Sequence, residues 1–428
     1  MRIMFASHAL TASHRVSPAW PFLGLGAYLV TSIFYVFPSG TPQPADFLLV
    51  LVIVSTMLVA WARLPDDPLL YLVAGLMVAW ILLVNAIWFL LTGDFVFLKK
   101  TSFYVYNLLV FLFVIAAGFH DWERLRKVVW WACVLALLAQ VGWMELFPDA
   151  TRRATGTFNN PNQLGYWALL LMACMAVVKG REGLGALDVL ALGAGLYVTA
   201  LSLSKAASIS AIVLLACIGV ASGLRRSAGL LLCAAVVLGL AFQMATGSLV
   251  DRIAALEPVE ALAQRLESIG RQRDDSFLAR GYPRLIENLE HLAFGAGEGS
   301  FDRLSEDGSS KEFHSTLGNL LMSYGVPGVA LFATLIVVVG AAAPRNLLYL
   351  MPIMLYGLTH MGLRFSLFWV FLGLAYAQGR YARPAAGGLG DEMQPGSASL
   401  AGPRPAPSAG SEPGAPGTIR SDTSGDPP

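Results

Sequence analysis

The residues able to do chemistry gather between Asp274 and Gly328, where a polar segment holding Arg280 and Arg284 leads to His314 at the head of a glycine-notched apolar helix. At about 100° per residue, His314, Gly318, Leu321, Gly325 and Gly328 fall within roughly 40° of one line. Small residues at that spacing let a neighbouring helix approach closely in lipid, and Pro327 removes a backbone donor and predicts a local bend. An imidazole titrates near neutral pH and can take a proton from a hydroxyl. A guanidinium matches the paired oxygens of a diphosphate better than an ammonium does. The blander reading is a histidine that hydrogen-bonds within a helix bundle and arginines on the solvated face of a surface helix.

These groups sit in an apolar chain. Of 428 residues, 56% are hydrophobic and 13% charged, the composition of an all-α, polytopic membrane protein. A net charge of +1 says nothing about partners, and nothing points to nucleic acid. Cys133, Cys174, Cys217 and Cys233 stand alone in apolar runs and read as core. No small-residue cleavage pattern follows the first apolar run, so no removable signal peptide is expected.

Apolar stretches long enough to span lie at 19–37, 45–62, 68–91, 101–119, 127–147, 163–179, 186–203, 206–222, 227–246, 314–340, 343–359 and 362–380, about twelve in all. The expected organisation is nine spans over residues 1–246, a long hydrophilic loop over 247–313, three spans over 314–383 and a Pro/Gly/Ser-rich tail over 384–428 that lacks the apolar content to fold. Within the loop, Leu256 to Ile269 reads as an amphipathic helix, and Pro283 fits the first turn of another.

Alternate short connections carry Arg63; Arg124, Arg126 and Lys127; Lys179 and Arg181; Arg225 and Arg226; Arg345; and Arg380 and Arg383. This bias puts those connections and both termini in the cytoplasm and the long loop outside. Several outer connections nonetheless hold cations: Lys99 and Lys100, Arg152 and Arg153, Lys205, and Arg364 beside His360. If the last span begins a turn early, His360 and Arg364 share a helical face. An anion-binding role explains charge kept on the translocated side; snorkelling interfacial side chains are the plainer account.

Three ordered motifs carry a resemblance. Arg153-Ala-Thr-Gly-Thr-Phe-Asn-Asn-Pro-Asn162 resembles the R-x-x-G-x-F-x-N-P-N signature of the O-antigen ligase and O-antigen polymerase superfamily of bacterial inner membranes. His314-Ser315, nine residues, then Gly325-Val-Pro-Gly328 is similar to the ligase-type H-[NSQ]-x9-G-x-x-[GTY], and Gly295-Ala-Gly-Glu-Gly-Ser-Phe301 resembles the turn that precedes that histidine. Ser204-Lys205 departs from the Ser-Arg usual in the family; lysine keeps the charge and loses the bidentate geometry.

The resemblance implies a glycosyltransferase of the all-helical, lipid-linked-sugar type in the bacterial inner membrane. It would move a glycan from undecaprenyl diphosphate to a hydroxyl of lipid A core or of a growing polysaccharide, on the periplasmic side, with inversion and without a metal or other cofactor. His314 would act as base and Arg280 beside it in catalysis, with Arg153, Lys205, Arg284, Arg364, His360, Arg152 and Lys100 holding the donor. The paired acids ask for no divalent cation: Asp66-Asp67 lies on the expected cytoplasmic side, and Asp274-Asp275 stands beside Arg271 and Arg273. Asn159, Asn160, Pro161 and Asn162 also read simply as a turn cluster that caps the sixth span. Ligase and polymerase share a donor and are not separated by these motifs. The reading from another class is a flippase or solute transporter, against which stand the lack of related halves and the gathering of charge at one membrane surface.

Overall fold

The computed structural model describes residues 18–38, 40–59, 65–149, 153–180, 182–222, 282–304 and 313–382. They belong to one compact unit, Met1–Ala382, and contain helices and no strand among the described residues. In chain order the helices are α1 Trp20–Thr31, α2 Pro44–Val59, α3 Pro68–Thr92, α4 Val96–Leu146, α5 Pro161–Lys179, α6 Ala186–Leu201, α7 Lys205–Ser222, α8 Pro283–Glu287, α9 Thr316–Ala342, α10 Leu347–Gly357 and α11 Ser366–Tyr381. Of these, α3, α4, α5 and α9 are long and apolar enough to cross a membrane. Large apolar side chains point outward from the bundle, with Leu58 80% and Leu90 79% exposed. A surface of that kind is what a chain solvated by lipid presents.

The starts of the helices are written locally. Asp67 accepts from the Leu70 amide at 3.1 Å ahead of Pro68, and Asn160 accepts from the Asn162 amide at 2.8 Å ahead of Pro161. Each pairs a side-chain acceptor with a proline whose missing N–H costs nothing at that position. The Asn-Asn-Pro-Asn cluster thus caps a helix.

Two helices sit at the centre. Every residue from Leu164 to Val178 of α5 and from Leu367 to Ala377 of α11 is buried. Small residues permit this density: a Cβ on Gly165 would fall 2.7 Å from that of Ala207 in α7. Cys133, Cys174 and Cys217 are free and buried in this packing; Cys233 lies outside the described residues.

Several expected boundaries change, two of them near the residues singled out above. The spans at 101–119 and 127–147 form one helical run, broken only at Asp121 (φ −161°, ψ 88°), whose carboxylate accepts from the Arg124 amide at 2.9 Å and so opens the second half. The chain doubles back at this point, because Asn107 and Gln140 both reach the same end of the bundle. The last span begins at Ser366, later than the sequence suggested. Residues 358–365 are therefore a connection, and His360 and Arg364 share no helical face.

The helices run between two chemically different ends. One collects Arg126 with Glu123 and Glu182, Lys179 with Asp188 at 3.0 Å, Arg380 with Asp67 at 2.9 Å, and Arg345 on the Ala221 carbonyl. These are the cations expected in the cytoplasm, and carboxylates accompany most of them. The other end holds, among the described residues, Lys100, Arg153, Lys205 and Arg364, cations that ran against the charge bias.

Candidate functional site

At that second end, Arg153 leaves the loop before α5 and donates through Nη2 to Asn162 Oδ1 (2.9 Å) and through Nε to the Ser202 carbonyl (3.3 Å). It thereby ties the α5 cap to the turn between α6 and α7. In that turn Leu203 holds φ +49°, a conformation costly for a side chain with a Cβ, and Lys205 opens α7. Arg153 and Lys205 thus flank one turn.

The Asn162 carbonyl accepts from Tyr356 Oη at 3.0 Å. Tyr356 is stacked between Tyr166 (centroids 4.2 Å, interplanar 8°) and the His360 ring (4.7 Å, 17°). The His360 carbonyl accepts from Thr316 Oγ1 at 3.0 Å, and that oxygen accepts from the Gly362 amide at 3.1 Å. Thr316 is the first residue of α9, two beyond His314. An unbroken chain of contacts therefore links Arg153 to the segment that bears His314.

His314 lies outside the helix and is exposed. Ser315 is the cap, accepting from the Gly318 amide at 3.2 Å. The stripe of small residues is corrected too, because α9 breaks at Gly325 (φ 66°, ψ −169°). What approaches Gly325 is a turn: a Cβ there would lie 2.7 Å from the Ala293 carbonyl oxygen. The break frees the Met322, Ser323 and Tyr324 carbonyls, which accept from Ala296 N (2.8 Å), Gly297 N (2.8 Å) and Trp80 Nε1 (2.8 Å). In an unbroken helix the Ser323 carbonyl would serve residue 327, which is proline and cannot donate. Gly297 supplies the missing N–H, so the Gly-x-Gly turn and the broken helix complete one another.

The same turn carries a residue the sequence reading passed over. Glu298 is wholly buried. Its Oε2 accepts from Tyr104 Oη (2.8 Å) and Tyr324 Oη (3.0 Å), and Oε1 lies 3.2 Å from Arg364 Nε. Its amide donates to Asn85 Oδ1 at 2.8 Å, and Asn85 donates to Thr101 Oγ1, next to the buried Lys100. A lone acid between two glycines in an apolar stretch was the available signal. Arg303 staples the turn, lying over the rings of Trp88 (4.4 Å) and Phe97 (4.9 Å) and donating to the Ala296 and Gly297 carbonyls. Asp94 accepts from Ser300 Oγ at 2.7 Å. Partial burial opposes ionisation of Asp94, yet hydrogen bonds from Val96 and Ser300 and the charge of Arg303 hold its carboxyl below the ordinary carboxylate value.

Arg284, in α8, lies 5.8 Å over the ring of Phe313, the neighbour of His314, and Tyr282 Oη donates to the Leu358 carbonyl at 2.9 Å. Lys100, Arg153, Lys205, Arg284, His314, His360 and Arg364 therefore share one end of the bundle. Arg152, Arg280 and the 256–269 helix lie outside the described residues. Among the described residues no three His, Cys, Asp or Glu side chains gather as a metal centre would need. No family model, no curated protein and no solved structure matches this chain.

Proposed function

We propose that this chain transfers a glycan from undecaprenyl diphosphate to a hydroxyl acceptor, as an O-antigen ligase or polysaccharide polymerase does, at the periplasmic face of a bacterial inner membrane. The topology that goes with it has about twelve spans, both termini in the cytoplasm and the 247–313 loop in the periplasm. The observation that carries the reading is the gathering of Arg153, Lys205, Arg284 and Arg364 with His314 and His360 at one end of an apolar bundle. The charge bias of the connections supports reading that end as the outer one.

In the reaction, the acceptor hydroxyl attacks the anomeric carbon of the donor sugar while the bond from that carbon to the diphosphate oxygen breaks. The acceptor proton passes to the imidazole of His314, and undecaprenyl diphosphate leaves with the bonding electrons. Attack opposite the leaving group inverts the anomeric centre. Negative charge grows on the diphosphate as the bond lengthens, and arginines already fixed by neutral carbonyl acceptors, as Arg153 is, stabilise it without reorganising. His314 suits a base that must meet a bulky acceptor, because it is exposed at the rim. A deletion strain separates the two activities. A finished polymer stranded on its carrier marks a ligase, short chains mark a polymerase, and unchanged glycans of both kinds would overturn the proposal.

A further inference from the structure

The carboxylate of Glu298 has no part in the reaction as written, yet it is placed at considerable cost. It is removed from solvent entirely; two phenols donate to Oε2, Oε1 makes no hydrogen bond and has the Arg364 guanidinium at ion-pair distance, 3.2 Å, and its own amide is held by Asn85. A carboxylate is stable in such a place only when hydrogen bonds and a counter-ion compensate the lost hydration. The elements it joins are far apart in sequence: α3, the first half of α4, α9 and the connection that bears Arg364. Arg364, 17% exposed, reaches the rim where the other cations lie.

We propose that Glu298 is a positioning residue for Arg364. It fixes the guanidinium from the buried side so that an anionic ligand meets it in one orientation, and it locks the 295–300 turn into the break of α9. This rests on the reading of that end as a diphosphate site. It makes an unusual demand on charge. Removing Glu298's negative charge raises the local positive charge by one, so if the sum of charge alone mattered, a diphosphate would bind more tightly and turn over as well or better. If orientation matters, turnover falls while binding does not weaken.

The test uses full-length protein reconstituted in nanodiscs with Glu298→Gln, Arg364→Gln and the double variant; glutamine keeps the shape and an acceptor for both phenols. With an undecaprenyl-diphosphate-linked glycan as donor, Glu298→Gln is expected to lower kcat by about 10- to 100-fold, the range that a small misplacement of a binding group produces. Its KM for the donor stays equal or falls, and the double variant is no worse than Arg364→Gln alone. Wild-type kcat in Glu298→Gln, or losses that multiply in the double variant, would overturn the proposal. Hydrogen exchange on the same samples needs no substrate. Glu298→Gln must raise exchange in both 295–304 and 358–365, and unchanged exchange in 358–365 also overturns it. If the wild type transfers nothing while exchange responds as expected, the functional reading fails and the positioning of Arg364 by Glu298 stands.

Discussion

Gly325 is the position where one methyl group tests the architecture of the site. Its backbone (φ 66°, ψ −169°) lies where only glycine rests comfortably, and holding alanine there costs about 1–3 kcal/mol. The added Cβ would fall 2.7 Å from the Ala293 carbonyl oxygen and 2.8 Å from the carbonyl carbons of Ala293 and Phe294. These are backbone atoms of the turn whose amides satisfy the broken helix, so they cannot swing aside as a side chain could. Overpacking of that kind adds about 1–3 kcal/mol, which makes Gly325→Ala worth roughly 2–6 kcal/mol in all. Gly318 is the internal control. A Cβ there meets Ser315 at 3.4 Å and Tyr282 at 3.7 Å, ordinary contact, within regular helix. Gly318→Ala should therefore be neutral or stabilising by up to about 1 kcal/mol. The assay is the monodisperse fraction on gel filtration after a series of heating steps in detergent. Gly325→Ala melting together with wild type and Gly318→Ala would refute the account of the broken helix.

Trp80→Phe removes the donor to the Tyr324 carbonyl and should cost about 1–3 kcal/mol in the same assay; no change would mean that the carbonyl finds another donor. Arg153→Lys cannot keep both the Asn162 and Ser202 bonds, so transfer should fall more than about 10-fold with little loss of folded protein, read as initial rates corrected for folded fraction. Asp94 titrates below the ordinary carboxylate value in the folded protein. Its stabilisation is thus complete above that ordinary value and lost as pH falls through the lowered one. Protease protection of the 295–304 turn should weaken over that acid window, and Asp94→Asn should flatten the response. Arg280→Lys should impair transfer much more than Arg284→Lys, whose guanidinium is already engaged with the ring of Phe313; equal losses in rate would contradict the roles given to the two.

The helical class and most of the helix starts were legible because both are local. Apolar runs and the Asn160-Pro161 pair carry their meaning within a few residues, and so does Asp67-Pro68, where the sequence reading saw only a paired acid. Two populations of cations were legible from charge bias alone, and among the described residues the contacts sort Arg126, Lys179, Arg345 and Arg380 to one end of the bundle and Arg153 and Arg364 to the other. What could not be read depends on distant partners. Gly325-Val-Pro-Gly328 announced a bend but not that Gly297, some thirty residues earlier, would supply the N–H that Pro327 lacks. For the same reason the stripe of small residues faces a turn where a helix was expected, and His314 stands before the helix it was expected to open. The last span was placed too early, and the shared face that an earlier start would have given His360 and Arg364 is absent, because nothing nearby in sequence shows that Thr316 claims the Gly362 amide and that Asn107 and Trp369 claim the Leu363 carbonyl. Glu298 was passed over because its role exists only through Tyr104, Tyr324 and Arg364, which fall in three other segments.

Transfer by purified protein is the measurement closest to the central claim. Wild type and His314→Ala are reconstituted in proteoliposomes with an undecaprenyl-diphosphate-linked glycan and candidate acceptors, and the product is followed by gel shift and mass spectrometry. Wild type should form a glycosylated acceptor with inverted linkage and release undecaprenyl diphosphate, while His314→Ala, equally folded by gel filtration, should form none. Transfer at the wild-type rate by His314→Ala would contradict the account.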